Sequence, residues 1–231
     1  MIDWAHVIEL IPLALLGGVL GLDVVSFPQA MISRPLVAST MAGALIGEAP
    51  SGLLLGAALE LIALETLPFG ASRYPEWGSA SVVGGAIFAT YPSHPAGSMP
   101  LAALAALATT WVGGWTMVKL RQRNAVWAGR KREALEAGAR GSVVSLQLRG
   151  MTADFIRGAA LTVIAYALLA PLAAKCIKLW SADARISRCV IVILAASVAG
   201  GAAWKLFHST AGARWFFVGG LAIGLFMLFL R

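Results

Sequence analysis

The stretch PLVASTMAGALIGEAPSGLLLGAALELIALE, residues 35–65, decides the fold. It holds two apolar pieces, 36–46 and 53–67, set apart by Gly47, Glu48, Ala49, Pro50 and Ser51. Each falls short of the ~20 residues that an ordinary helix needs to cross a bilayer. Paired short apolar segments broken by glycine and proline are the sequence sign of re-entrant or broken helices in membrane carriers. Glu60 sits inside the second piece, with uncharged residues from 49 to 59 on one side and from 61 to 64 on the other. A carboxylate at membrane depth costs several kcal/mol unless a cavity or a partner meets it.

The flanking sequence extends the same reading. Of 231 residues, 59% are hydrophobic and 13% charged, and the mean hydropathy is +0.80. Soluble domains carry about 25% charged residues, so lipid is the expected solvent for this chain. Residues 7–22 form an apolar segment with Gly17 and Gly21 at the spacing that lets helix backbones approach closely. No Lys or Arg precedes it, so it reads as a retained helix rather than a cleaved leader. A polar patch follows at 23–34, the 35–65 stretch comes next, and 68–78 is turn-rich. A short apolar piece spans 82–91 and a full span 99–118. Residues 126–139 read as an amphipathic surface helix. Three more apolar segments cover 155–172, 189–204 and 215–230, and Gly220 and Gly224 repeat the close-packing spacing. The expected fold is all-α: one polytopic membrane domain over 1–231, with full transmembrane helices and short re-entrant helices in its N-terminal half. Its parts are an N-terminal core (1–118, re-entrant at about 36–67), a basic cytoplasmic loop (119–154) and C-terminal helices (155–231).

The formal charge of +7 is concentrated. From Lys119 to Arg157 there are nine basic residues against Glu133, Glu136 and Asp154. Basic loops beside membrane spans stay in the cytoplasm, whereas nucleic-acid binding would need interleaved aromatics and a motif that this chain lacks. Lys175, Lys178, Arg185 and Arg188 fall on the opposite side, or lie at the interface with their stems snorkelling. Cys176 and Cys189 form no CxxC pair and have no metal spacing. His6, His94 and His208 are isolated, there is no phosphate-binding glycine loop, and no nucleophile stands beside a base. No covalent chemistry, metal or cofactor is expected of the chain itself.

Four charged residues at membrane depth stand out: Asp23, Arg34, Glu60 and Glu65. Glu60 reads either as an acceptor for solute hydroxyls or as the ion-pair partner of Arg34, and the two roles are compatible. The Gln29 amide both donates and accepts, which suits a polyol, and Ser33 reads equally as a cap. Pro35 after Arg34 reads as a helix start, since proline in the first turn loses no hydrogen bond. Phe69 and Trp77 are stacking or interfacial aromatics. Glu65 and Glu76 read as solvated.

The run LDVVSFPQAMISRPLVASTMAGALIGEAPSGLLLGAALELIALETLPFGA, 22–71, resembles the IIC membrane subunit of the mannose/fructose/sorbose family of phosphotransferase systems. The residues in the family's places are Asp23, Gln29, Ser33, Arg34, Pro35, Gly43, Gly47, Gly52, Gly56 and Glu60. The stretch 120–158 continues the resemblance more weakly. The resemblance implies a sugar-conducting subunit in the bacterial inner membrane. It implies a IID membrane partner in a trimer of heterodimers, and cytoplasmic IIB and IIA subunits that carry the phosphoryl group. It implies a mannose- or sorbose-like sugar bound by Asp23, Gln29 and Glu60 in a core that moves against a scaffold, with Arg34 as a structural partner. The chain is short for that family, carries an extra Phe27-Pro28, and has Asn124 as its one asparagine. Two alternatives stand beside this reading. One is a proton-driven sugar transporter using Asp23 or Glu60. The other is a non-transporting membrane partner of the same fold.

Overall fold

The structure, a computed structural model, describes residues 4–64, 75–208 and 212–229. Among these, regular structure is entirely helical: α1 (Trp4–Asp23), α2 (Pro35–Ile46), α3 (Ala49–Ala63), α4 (Trp77–Ala89), α5 (Ser98–Gly129), α6 (Arg132–Glu136), α7 (Arg140–Lys178), α8 (Ala184–His208) and α9 (Ala213–Phe229). Helices α5, α7 and α8 contain stretches long and apolar enough to cross a membrane, while α2, α3 and α4 are short apolar helices. The chain is a multi-pass membrane protein with short broken helices in its N-terminal half.

The hairpin α2–α3 follows from its punctuation. Pro35 opens α2, and Gly47 closes it in the left-handed region (φ 94) that a side chain disfavours. Pro50 lies in the first turn of α3. The Glu48 N–H then donates to the Gly43 carbonyl at 2.7 Å, satisfying an otherwise orphaned helix end. The two helices meet backbone to backbone. A β-carbon at Gly52 would stand 2.3 Å from the Ser39 carbonyl oxygen and 3.0 Å from Gly43 Cα. Gly52→Ala therefore forces the helices apart, and the expected cost is about 1–3 kcal/mol, the usual range for overpacking. Thermal unfolding in detergent measures it against Gly141→Ala, where a β-carbon meets open space. Equal midpoints for the two variants would contradict this packing.

Helix α4 is buried from Gly78 through Ala89. It is apolar on every side because α1, α2, α3, α5 and α7 all pack against it. Leu55, Leu59, Val83, Ile87, Phe88 and Ala106 lie in the main core. Helix α1 runs against α7 through the expected small residues: a β-carbon at Gly17 would fall 1.9 Å from Thr162 Oγ1, and one at Gly158 would fall 2.7 Å from the Gly17 carbonyl.

Two expectations need correction. Residues 126–139 are not one amphipathic helix. Helix α5 continues to Gly129, and only the five residues of α6 follow before Gly138 (φ 73) turns the chain into α7. At Gly220 and Gly224 a β-carbon would meet nothing within 4 Å among the described residues of this chain. The contacts of α9 are with α8. Residues expected to form the 119–154 loop are largely extensions of α5 and α7. At 1.5 Å per residue the 32 and 39 residues of these helices run roughly 48 and 58 Å, well past a ~30 Å hydrocarbon core.

Candidate functional site

The loop between α1 and α2 is organised around Asp23, the last residue of α1, which is 3% exposed. Its Oδ1 accepts from the Ala30 N–H at 2.6 Å and its Oδ2 from the Ser33 N–H at 2.8 Å. The carboxylate thus braces both arms of the loop that delivers Arg34 to the start of α2. Gln29 sits on this loop with φ 58, exposed, its Nε2 donating to the Val25 carbonyl at 2.9 Å. Arg34 Nε donates to Glu60 Oε1 at 2.6 Å, and Arg34 Nη2 donates to the same oxygen. Glu60 Oε2 accepts from the Leu36 N–H at 3.1 Å, so the carboxylate also caps the first turn of α2. This joins the open end of the α2–α3 hairpin.

The pair is not sealed. Within this chain, side-chain exposure is 24% for Arg34 and 22% for Glu60. Among the described residues Glu60 Oε2 has one donor, and a carboxylate oxygen can accept two. Asp23 and Gln29 hold the loop leading into this pair, though no direct contact joins either to Glu60. At the other end of the hairpin, Ser51 Oγ and His94 Nε2 lie 2.8 Å apart, and the His94 ring stacks on Phe88 with centroids 4.7 Å apart. Glu65 and Phe69 lie outside the described residues.

A second charged group was not legible as such. Glu76, expected to be solvated, is fully buried. It caps α4, its Oε1 accepting from the Ser79 N–H at 3.0 Å, while its own N–H donates to the Thr110 carbonyl at 3.3 Å. Asp154 is 1% exposed, with Oδ1 accepting from Arg157 Nε at 2.8 Å and Oδ2 from Ser26 Oγ at 2.5 Å. Arg157 Nη1 reaches Thr116 Oγ1 at 3.4 Å. Glu76 Oε2 and Arg157 Nη2 have no hydrogen-bond partner among the described residues. Arg157 looked like one more topogenic charge. The signal that marks it is the Asp154–Arg157 spacing of three on a helix entering an apolar run, which puts both on one face.

Comparison with known proteins agrees with this architecture. A family model described as the sorbose-specific IIC component of the phosphotransferase system matches residues 7–192. The sorbose-specific EIIC component of Klebsiella pneumoniae is 42% identical over 50 residues, 22% of this chain and 19% of that protein. The fructose permease IIC component of Bacillus subtilis (strain 168) is 33% identical over 76 residues, 33% of this chain and 28% of that protein. The matched stretches thus span less than a third of these curated relatives. A solved structure described only as a membrane protein superposes with a TM-score of 0.70 at 18% identity, over 96% of this chain and 94% of its own. A chain from the cryo-EM structure of the mannose transporter ManYZ with microcin E492 gives a TM-score of 0.61 at 17% identity, over 97% and 94%. At these identities the likeness shows the fold.

Proposed function

The chain belongs to the sorbose-specific IIC family of the sugar phosphotransferase system, and from that premise we propose that it is the sugar-translocating membrane subunit of a mannose/sorbose-type complex. The observation that carries this reading is the partly open Arg34–Glu60 pair at the end of a short hairpin. A carboxylate there keeps an acceptor site for a sugar hydroxyl while its charge is neutralised. Asp23 and Gln29 complete the proposed sugar site from the loop that Asp23 braces. The hairpin is the element that moves, and α1 with α7 forms the wall it moves against.

The chain works as one membrane domain in the bacterial inner membrane, with the basic ends of α5 and α7 in the cytoplasm. It supplies no phosphoryl chemistry itself. A IID membrane partner completes the conduit, in a trimer of heterodimers, and IIB phosphorylates the sugar with phosphate passed from IIA. Phosphorylation prevents return, so uptake depends on the donor. Uptake of radiolabelled mannose, sorbose and fructose into vesicles bearing the full complex should require phosphorylated IIB. Equal uptake without the donor, abolished by an uncoupler, would instead identify a proton-driven transporter. No uptake under either condition, with the complex assembled, would identify a non-transporting partner.

A further inference from the structure

Helix α7 carries a seam at the spacing that one helix offers another. Val144, Leu148, Met151, Phe155, Gly158 and Thr162 follow one another by alternate steps of four and three residues, which keeps them on one stripe of the helix. The membrane half of this stripe is filled. A β-carbon at Gly18 would fall 2.7 Å from the Phe155 ring, one at Gly21 would fall 3.2 Å from Gly158 Cα, and Gly17 meets Thr162. Helix α1 ends at Asp23, and the stripe runs on without it. Leu148 is 59% exposed and Val144 44%. At the next seam position, a β-carbon on Gly141 would meet nothing within 4 Å among the described residues.

Lipid does not reach this half. The apolar segment of α7 begins at Phe155, so at 1.5 Å per residue Leu148 and Val144 stand roughly 10 and 16 Å beyond it along the helix. The headgroup layer is about 5–7 Å deep on each side of the hydrocarbon. Two large apolar side chains thus face water as the continuation of a packed seam, and contiguous exposed apolar surface of that kind marks a protein contact. The charge around it selects the partner. Arg140 lies one turn beyond Val144 on the same side of α7. The stretch Lys119–Arg157 holds nine basic residues against three acidic ones, so two copies of this stalk would repel each other. The complement is an acidic, amphipathic helix on the cytoplasmic side.

We propose that the uncovered seam, Arg140 to Met151, is the docking surface for a helix of the cytoplasmic phosphoryl-carrying subunit, IIB. Its apolar ridge takes the place that α1 leaves at Asp23, and its acidic residues meet Arg140. This rests on the sugar-translocating reading and names the surface through which the donor reaches the membrane subunit. The seam meets the α1–α2 loop where Met151 and Ser26 line one crevice. That loop is the one Asp23 braces ahead of Arg34, so a subunit docked here sits beside the approach to the proposed sugar site.

Titration of purified, phosphorylated IIB against membrane vesicles bearing the assembled membrane subunits tests this. Val144→Gln/Leu148→Gln should weaken IIB binding about tenfold, the loss expected when two apolar side chains no longer pack. Uptake should then need about ten times more IIB to reach half its maximal rate, with sugar affinity and the maximal rate unchanged. Both residues are exposed, so the melting temperature should hold. Arg140→Glu should weaken binding further and flatten its salt dependence. Val126→Gln, exposed on α5 and off the seam, should change nothing. A placed label gives an independent reading. With Cys176 and Cys189 replaced by serine, Leu148→Cys carrying a photo-crosslinker should attach to IIB, and Val126→Cys should not. Unchanged IIB affinity in the seam variant, or crosslinking of position 148 to lipid or to the IID partner instead, would overturn the docking surface. Donor-independent uptake alongside seam-dependent IIB binding would sink the parent reading and leave the surface standing.

Discussion

Glu60→Gln is expected to lower sugar uptake about ten- to hundredfold, because hydrogen bonds to a charged acceptor contribute about 1.5–3 kcal/mol and each 1.4 kcal/mol is a factor of ten. The substitution acts in two ways, which must be separated. It removes the carboxylate proposed to hold the sugar, and it leaves Arg34 facing a neutral amide in a site only 24% exposed. The double variant Arg34→Gln/Glu60→Gln distinguishes them. Two amides can still hydrogen-bond across the hairpin, and no uncompensated charge remains, so the fold should recover most of what the single variant loses. Sugar uptake should not recover if the carboxylate holds the sugar. Recovery of both thermal stability and uptake would make Glu60 a purely structural partner and remove it from the site.

The hairpin that carries this pair was legible because its signals are local. Pro35, Gly47 and Pro50 act on the backbone within a turn of their own positions, so α2 falls where the sequence puts it, while α3 begins at Ala49, four residues before the apolar piece, because Pro50 is favoured in a first helical turn. Gly17 could be read for the same reason, since a small residue on an apolar helix implies a close neighbour. It could not name that neighbour, which is Thr162, 145 positions along the chain. The same limit applies to Gly220 and Gly224, where the spacing recurs and no described residue of this chain lies against it.

The buried charges were illegible for a related reason. Glu76 follows a turn-rich stretch, and the turn residues made it look solvated. What buries it is long-range: Gly113 of α5 leaves the space its side chain occupies, since a β-carbon there would lie 2.7 Å from Glu76 Cβ. Helix α5 contains the expected span 99–118 and outruns it. A cluster of Lys and Arg marks the end of a span, yet those residues are good helix formers. With no breaker before Gly129, the helix runs on.

Removing the guanidinium of that buried group should have the largest effect on stability. Arg157→Met leaves the aliphatic packing nearly intact but strands the Asp154 carboxylate, whose side chain is 2% exposed, with the Ser26 hydroxyl as its remaining donor among the described residues. Breaking a buried pair from one side costs about 3–5 kcal/mol, much more than the pair contributes over an apolar replacement. The paired change Asp154→Leu/Arg157→Met should therefore recover most of the loss, because no charge is left without its counter-ion. Arg157 also reaches Thr116 on α5, and Asp154 holds Ser26 on the α1–α2 loop, so the single variant should loosen that loop as well as lower the melting temperature. Limited proteolysis within residues 24–34 reads the first effect and thermal unfolding the second. A cost below about 1 kcal/mol for Arg157→Met would match a surface pair rather than a buried one. It would mean that water reaches Asp154, and that α7 is held to the α1–α2 loop by apolar packing alone.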